Sequence, residues 1–129
     1  MAKKLQFFVA GLGRFGISVA VTLEKMGYDV MAMDIDEEVV QDLSDTLGYV
    51  VCAGCSDEKN LVAIGAGNAD IAVVSVGDLS ASLMTTLLLK EMGVKKIVVK
   101  ALDPIHGKML QKIGADKIIY SEKEMGVRV

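Results

Sequence analysis

The feature that most constrains this chain is an alternation. Six short apolar runs, Leu5 to Ala10, Tyr28 to Met33, Tyr49 to Ala53, Ile71 to Val76, Lys96 to Ala101 and Lys117 to Tyr120, are each divided from the next by a stretch with helical spacing. A continuous apolar run of this length fits a strand buried on both faces, which is the habit of parallel sheets. Parallel neighbours need a crossover, here a helix, and such crossovers are right-handed. The expected fold is therefore α/β: a Rossmann-like, doubly wound parallel sheet of six strands in the order 3-2-1-4-5-6. Its ligand crevice lies where the order reverses, between strands 1 and 4.

The punctuation supports the same division. A helix from about Arg14 to Met26 stops at Gly27, which can serve as a C-terminal glycine. Asp36 is placed to cap the next helix, with Glu37 and Glu38 favourable in its first turn and Val40, Leu43 and Leu47 on one face. Ser56 or Asp57 caps a short helix that presents Leu61 and Ile64 and ends near Gly65 to Gly67. The helix from Leu79 to Met92 stops at Gly93. Its residues Leu83, Met84, Leu87, Leu88, Leu89 and Met92 make it apolar almost all round, which suggests one face on the sheet and the other against another chain. Asp103 caps a fifth helix with Pro104 at its first position, where a missing N–H costs nothing. That helix places Ile105, Met109 and Ile113 on one face and ends at Gly114. Residues 122–129 read as the opening of a further helix.

Composition narrows the function classes. A chain of 129 residues, 52% apolar and 24% charged, fits one globular domain. The net charge of −3 leaves no basic excess to neutralise a nucleic-acid backbone, so no nucleic acid is expected as partner. No apolar run approaches the roughly 18 residues of a membrane span. The opening, Met1-Ala2-Lys3-Lys4 and then Leu5 to Leu12, imitates a secretory signal, but Arg14 cuts it short and no small-residue cleavage site follows. Two cysteines without such a signal suggest a reducing cytoplasm.

The chemistry concentrates at Gly11-Leu12-Gly13-Arg14-Phe15-Gly16. A G-x-G-x-x-G pattern alone says little. Here it follows a predicted strand, opens a predicted helix, and is followed by Asp34 at the end of the second strand, 18 residues after Gly16. Gly11 permits the tight turn, Gly13 lets backbone approach a pyrophosphate, and Gly16 lets helix and sheet come close. The free N–H groups of that helix then face the anion. Asp34 would accept hydrogen bonds from ribose hydroxyls and repel a 2′-phosphate, favouring NAD-type or simple adenosine nucleotides over NADP. Arg14, inside the motif, is placed for charge-assisted bonds to phosphate oxygens and would favour a third phosphate. Asp36 serves either the adenosine or its own helix.

The same sheet edge adds Ile35, Ala53, Gly54, Cys55 and Ser56 around the adenosine side, Val76 and Gly77 at the end of strand 4, and Lys100 at the end of strand 5. Cys52 and Cys55 form a C-x-x-C; with one histidine and no second pair they do not make a zinc site, and small packed residues near the adenine are favoured over a redox pair. His106, the only histidine, is expected on a helix surface near the ligand edge.

These residues resemble a known family. The opening FVAGLGRFGISVAVTLEKMGYDVMAMDIDEE, the later TTLLLKEMGVKKIVVKA and the closing KMLQKIGADKIIYSEKEMGVRV are similar to the RCK or KTN (TrkA-N) domain of the cytosolic regulatory subunits of Ktr- and Trk-type potassium transporters. Tyr120-Ser121-Glu122 followed by Met125-Gly126 is the more distinctive part, since ordinary dehydrogenases lack it.

The resemblance implies a ligand-gated ring with no catalysis. Such domains pair into dimers and assemble into an octamer beneath a membrane potassium transporter, peripheral to the inner face of the cell membrane. ATP and ADP, or NADH and NAD, stabilise different ring shapes. It further implies that Arg14 contacts the γ-phosphate, Asp34 holds the ribose and Lys100 lies near the nucleotide. Glu122 would sit at the dimer interface, where a divalent cation such as Mg or Ca can bind. The helix from Leu79 to Met92 would serve assembly.

Two departures stand out. Ala53-Gly54-Cys55-Ser56 replaces a stretch where the family often has Asp or Asn before an Ala-Thr pair, leaving adenine without that side-chain contact. The chain also stops at Val129, just inside the expected crossover helix, so the smaller C-terminal subdomain is expected beyond it. The competing class is the NAD-binding domain of an oxidoreductase, or a nucleotide module of another enzyme. That class needs a substrate domain and a catalytic acid or base, for which only His106 is available.

Overall fold

A computed structural model describes residues 4–120. Its elements run β1 (Gln6–Ala10), α1 (Arg14–Lys25), β2 (Asp29–Asp34), α2 (Glu37–Leu43), β3 (Val50–Cys52), α3 (Glu58–Ile64), a 3-10 turn (Ala66–Asn68), β4 (Ile71–Val74), α4 (Leu79–Glu91), β5 (Lys96–Lys100), α5 (Pro104–Ile113) and β6 (Lys117–Ile119). The strands form one parallel sheet in the order β3-β2-β1-β4-β5-β6, as the alternation predicts. β1 lies at the centre, with Ala10 beside Met33 on one side and Val74 on the other. After β1 the chain passes to one face of the sheet and after β4 to the other, and these connections open a crevice between them.

Strand alternation divides the apolar residues between two cores. Phe7 and Val9 face one way, with Val30, Ala32 and Val73, under α1 and the turn that carries Leu47. Phe8 and Ala10 face the other way, with Met33, Val74, Ile97 and Val99, under Leu61 and Ile64 of α3, Leu89 of α4 and Leu110 of α5. Phe8 is fully buried, and truncating such a side chain to alanine costs about 3–5 kcal/mol.

Four helices begin with a capping aspartate. Asp36 accepts from the Glu38 N–H at 3.0 Å, Asp57 from Lys59 at 2.9 Å, Asp78 from Ala81 at 2.8 Å and Asp103 from His106 at 2.7 Å. The third helix is thus capped by Asp57 and not Ser56. α1 differs: its N-cap is Gly13, with no side-chain cap.

Some faces differ from expectation. In α5 the buried residues are His106, Gly107 and Leu110, while Ile105 and Met109 are exposed, so the packed face is turned by one residue. Gly107 lets α5 approach Tyr120 so closely that a Cβ there would overlap its ring, and this contact sets the rotation. His106, expected at the surface, is fully buried, and its Nδ1 accepts from the Leu102 N–H at 2.9 Å.

In α2, Val39 and Leu43 pack against the core and Val40 does not; the helix stops at Leu43, and Leu47 reaches the core from the turn that follows. The buried face of α4 includes the hydroxyl residues Ser82, Thr85 and Thr86 beside Leu89, and Met84 and Leu87 are exposed opposite. β4 leaves the ladder after Val74, two residues before the expected end.

Candidate functional site

The turn after β1 is held on both sides. Gly11 adopts φ +92°, a conformation natural to glycine, and donates its N–H to the Met33 carbonyl at 2.9 Å. From the β2 side, Asp34 Oδ2 accepts the Leu12 N–H at 2.7 Å and Asp34 Oδ1 accepts the Asp36 N–H at 2.8 Å. From the β4 side, the Ser75 hydroxyl donates to the Gly11 carbonyl at 2.7 Å. A Cβ on Gly16 would overlap that same carbonyl and stand 2.6 Å from Ser75 Oγ, so only glycine lets α1 start here.

Gly13 faces open space, with nothing within 4 Å of where its Cβ would sit. The first amides of α1 are thus uncapped and point into a cradle. This is the arrangement that binds phosphate at helix N-termini.

The cleft above this turn has a volume of about 640 Å³, within the range of about 300–1,000 Å³ usual for small-molecule sites. It gathers nearly all the residues proposed from the sequence. Gly11, Leu12, Gly13, Arg14, Phe15 and Gly16 form its floor. Asp34, Ile35, Asp36, Gly54, Cys55 and Ser56 line the β2–β3 side, and Val76, Gly77 and Lys100 the β4–β5 side.

Ala53 does not line it. Its N–H is tied to the Asp34 carbonyl at 3.0 Å and its side chain packs into the α3–α5 core. Glu122, and with it the expected cation site and crossover helix at 122–129, lies outside the described residues. The sequence reading missed Val39, Ser75, Asp78, Ala81 and Leu102 as lining residues. Only their neighbourhood to the switch point marks them, because they arrive from other strands and helices.

Two cations serve the cleft. Arg14 is exposed at its rim, and Lys100 Nζ stands 5.9 Å from the centroid of the Phe15 ring, a cation–π distance. Neither has a carboxylate within ion-pair reach among the described residues, where Lys4–Asp29 is the one salt bridge. Both remain available to an anionic ligand.

The two cysteines do not face each other. Val50 packs toward α1 and Val51 toward α3, so Cys52, two residues after Val50, shares the α1 side and is exposed. Cys55 is buried in the opposite core with Sγ 3.8 Å from the Met33 carbonyl. Burial, reinforced by the Asp34 charge and opposed by the Gly11 N–H, pushes its thiol up to about 12. It stays protonated at neutral pH and packs as a small apolar residue, with none of the thiolate character of a redox centre.

No cluster of three metal-binding side chains occurs among the described residues, and none of their helices is long and apolar enough to cross a membrane.

The fold and this turn define a nucleotide-type α/β domain. The TrkA-N domain family matches residues 7–121, and the chain belongs to that family. It is 44% identical over 128 residues to the Ktr system potassium uptake protein A of Bacillus subtilis (strain 168), covering 98% of this chain and 58% of that relative. The chain thus spans little more than half the length of such a relative. Its structure is similar to the TrkA-N domain of the inner membrane protein ybaL from Escherichia coli, with a TM-score of 0.85 at 12% identity, covering 98% of this chain and 94% of that one. It is also similar to the GsuK channel bound to ADP, with a TM-score of 0.77 at 24% identity, covering 90% of this chain and 30% of that one. The GsuK channel bound to NAD gives 0.79 at 15% identity, covering 91% and 21%.

Proposed function

We propose that this domain is the nucleotide-sensing part of a regulatory subunit of a potassium uptake system, binding ATP and ADP, or NADH and NAD, without catalysing a reaction. The observation that carries it is the end of α1, the one helix among the described residues that starts without a cap, facing a cleft with Arg14 and Lys100 unpaired. An adenosine would lie toward Ile35, Gly54 and Ser56, its ribose at Asp34, and its phosphates on the amides of α1 with Arg14 over the outermost. The family, and the likeness to Ktr proteins, support potassium uptake as the setting and a membrane transporter at the cytoplasmic face as the partner.

Regulation then needs no chemistry at the cleft. A ligand shifts an assembly only by the difference in its affinity for two states, and the number of phosphates reached by Arg14 supplies such a difference. Dimers and a ring, with Glu122 and a divalent cation between subunits, are the assembly in which that shift would be read. An oxidoreductase would require a proton donor or acceptor at the cleft. His106 is not among the lining residues, and the cleft carboxylates Asp34, Asp36 and Asp78 are engaged by backbone N–H groups of the turn and the helix caps.

Titration of the purified chain with ATP, ADP, NADH and NAD, with its mass in solution measured alongside, tests this reading. Arg14→Ala is expected to weaken ATP binding about tenfold or more, and adenosine little. Equal binding of ATP by both proteins would remove Arg14 as the phosphate reader, and NAD-dependent turnover of a hydroxy acid would replace a sensor by an enzyme.

A further inference from the structure

We propose that Ser75 is a positioning residue that ties the phosphate-facing turn to α4, so that filling the turn is transmitted to that helix; this rests on the nucleotide reading above. Ser75 lies one residue beyond the last paired position of β4, and its N–H donates to the Ala10 carbonyl at 2.8 Å, which sets it level with Gly11. Its hydroxyl bonds the Gly11 carbonyl at 2.7 Å. None of the described backbone amides reaches that carbonyl, since the hydrogen bonding of α1 begins with Ile17 to Gly13.

The fit is tight from both partners. The Ser75 carbonyl oxygen and the Val76 nitrogen lie 2.6 and 2.9 Å from where a Gly11 Cβ would sit, and Ser75 Oγ occupies space that only a glycine at position 16 leaves free. A displacement of the Gly11–Gly16 turn therefore moves Ser75. Three residues later Asp78 caps α4, and the intervening Val76 and Gly77 line the cleft.

α4 is suited to respond. Its packed face holds the hydroxyls of Ser82 and Thr85, both buried and without a hydrogen-bond partner among the described residues, so its packing carries a desolvation cost that a wholly apolar face would not. Its outer face exposes Met84 and Leu87. Asp34 ties the same turn to the start of α2, so the turn is coupled in both directions and Ser75 is the link toward α4.

Amide hydrogen exchange of the wild type, Ser75→Ala and Ser75→Thr, with and without saturating ADP, tests the link. In the wild type, ADP is expected to protect both the Gly13–Gly16 amides and the first turn of α4, from Ala81 to Leu83. Ser75→Ala is expected to bind ADP about fivefold more weakly. At saturation it should still protect the glycine turn, and lose most of the response in α4. Ser75→Thr, which keeps the hydroxyl, restores that response. An undiminished α4 response in Ser75→Ala would mean that the ligand touches α4 directly and would overturn the link. Failure of the wild type to bind ADP would appear in the isotherm itself and would overturn the nucleotide reading together with the relay.

Discussion

The N-termini of α1 and α4 flank the same crevice and solve opposite problems. α4 satisfies its own first turn: the Asp78 carboxylate accepts from the Ala81 N–H, and the helix end is closed. α1 has glycine in the equivalent place, and an arginine where a cation is mildly unfavourable with the helix dipole. Left without a ligand, the α1 end is the poorer design. The difference teaches that stability has been given up at one helix end only, and that this end is the one aimed into the cleft.

The severest challenge to that contrast is to close α1. Gly13→Asp puts into open space the cap that the other four helices carry, so it is expected to fold and to gain roughly a few tenths of a kcal/mol of stability. It should at the same time lose about a hundredfold or more in adenine-nucleotide affinity, because its carboxylate occupies the amides and repels phosphate. Thermal unfolding together with calorimetric titration checks both signs, and unchanged affinity would deny the open end its role.

Asp34→Asn comes next. One of the two backbone N–H groups would face an amide NH2 in place of an oxygen, so stability is expected to fall by about 1–2 kcal/mol. Affinity for NAD or ADP should drop about tenfold, with less discrimination against NADP; a variant that binds NAD normally would limit Asp34 to holding the turn.

Cys55 sharpens the contrast from below, since its sulfur stands 3.8 Å from the same Met33 carbonyl that accepts the Gly11 N–H. Its proton is released near 9.0 when unfolded and near 12 when folded, so the unfolded chain holds fewer protons between those values. The stabilisation is complete below pH 9 and is lost as pH climbs toward 12. Over that window, the wild type is expected to lose about 1.4 kcal/mol per pH unit more than Cys55→Ala in denaturant titrations. Parallel slopes would show that the thiol is not held neutral.

The smallest effect belongs to α4. Asp78→Ala removes a cap and should cost about 1 kcal/mol in stability while changing ADP affinity much less than Arg14→Ala changes ATP affinity. A loss of affinity matching that of Arg14→Ala would show that the two helix ends do not divide their tasks as described.

The same division explains what was legible from sequence. Strand order and helix ends followed from apolar runs, glycine stops and aspartate caps, all of which are local. The glycine turn was legible because each glycine answers a local steric demand. Helix faces were less so. The rotation of α5 is set by the approach of Gly107 to Tyr120, thirteen residues on, and no periodicity within the helix records that contact. In α4 the hydroxyl residues Ser82, Thr85 and Thr86 read as polar yet lie buried, Thr86 satisfying itself on the Ser82 carbonyl at 2.8 Å. Ser75, Ala81 and Leu102 reach the cleft only because β4 and β5 follow β1 in the sheet, a proximity that exists in space and not along the chain.

The grip of Asp34 on two backbone amides has a consequence for how a ligand would arrive. With Leu12 and Asp36 already attached to it, the carboxylate has no rotamer left to freeze and the turn no loop to fold. On the β2 side a guest would meet a site already formed, so little of its binding free energy is consumed in shaping that side and any ligand-driven shift is left to the β4 side. Binding there would need no slow ordering step of the chain, so occupancy could follow ligand supply without a folding lag.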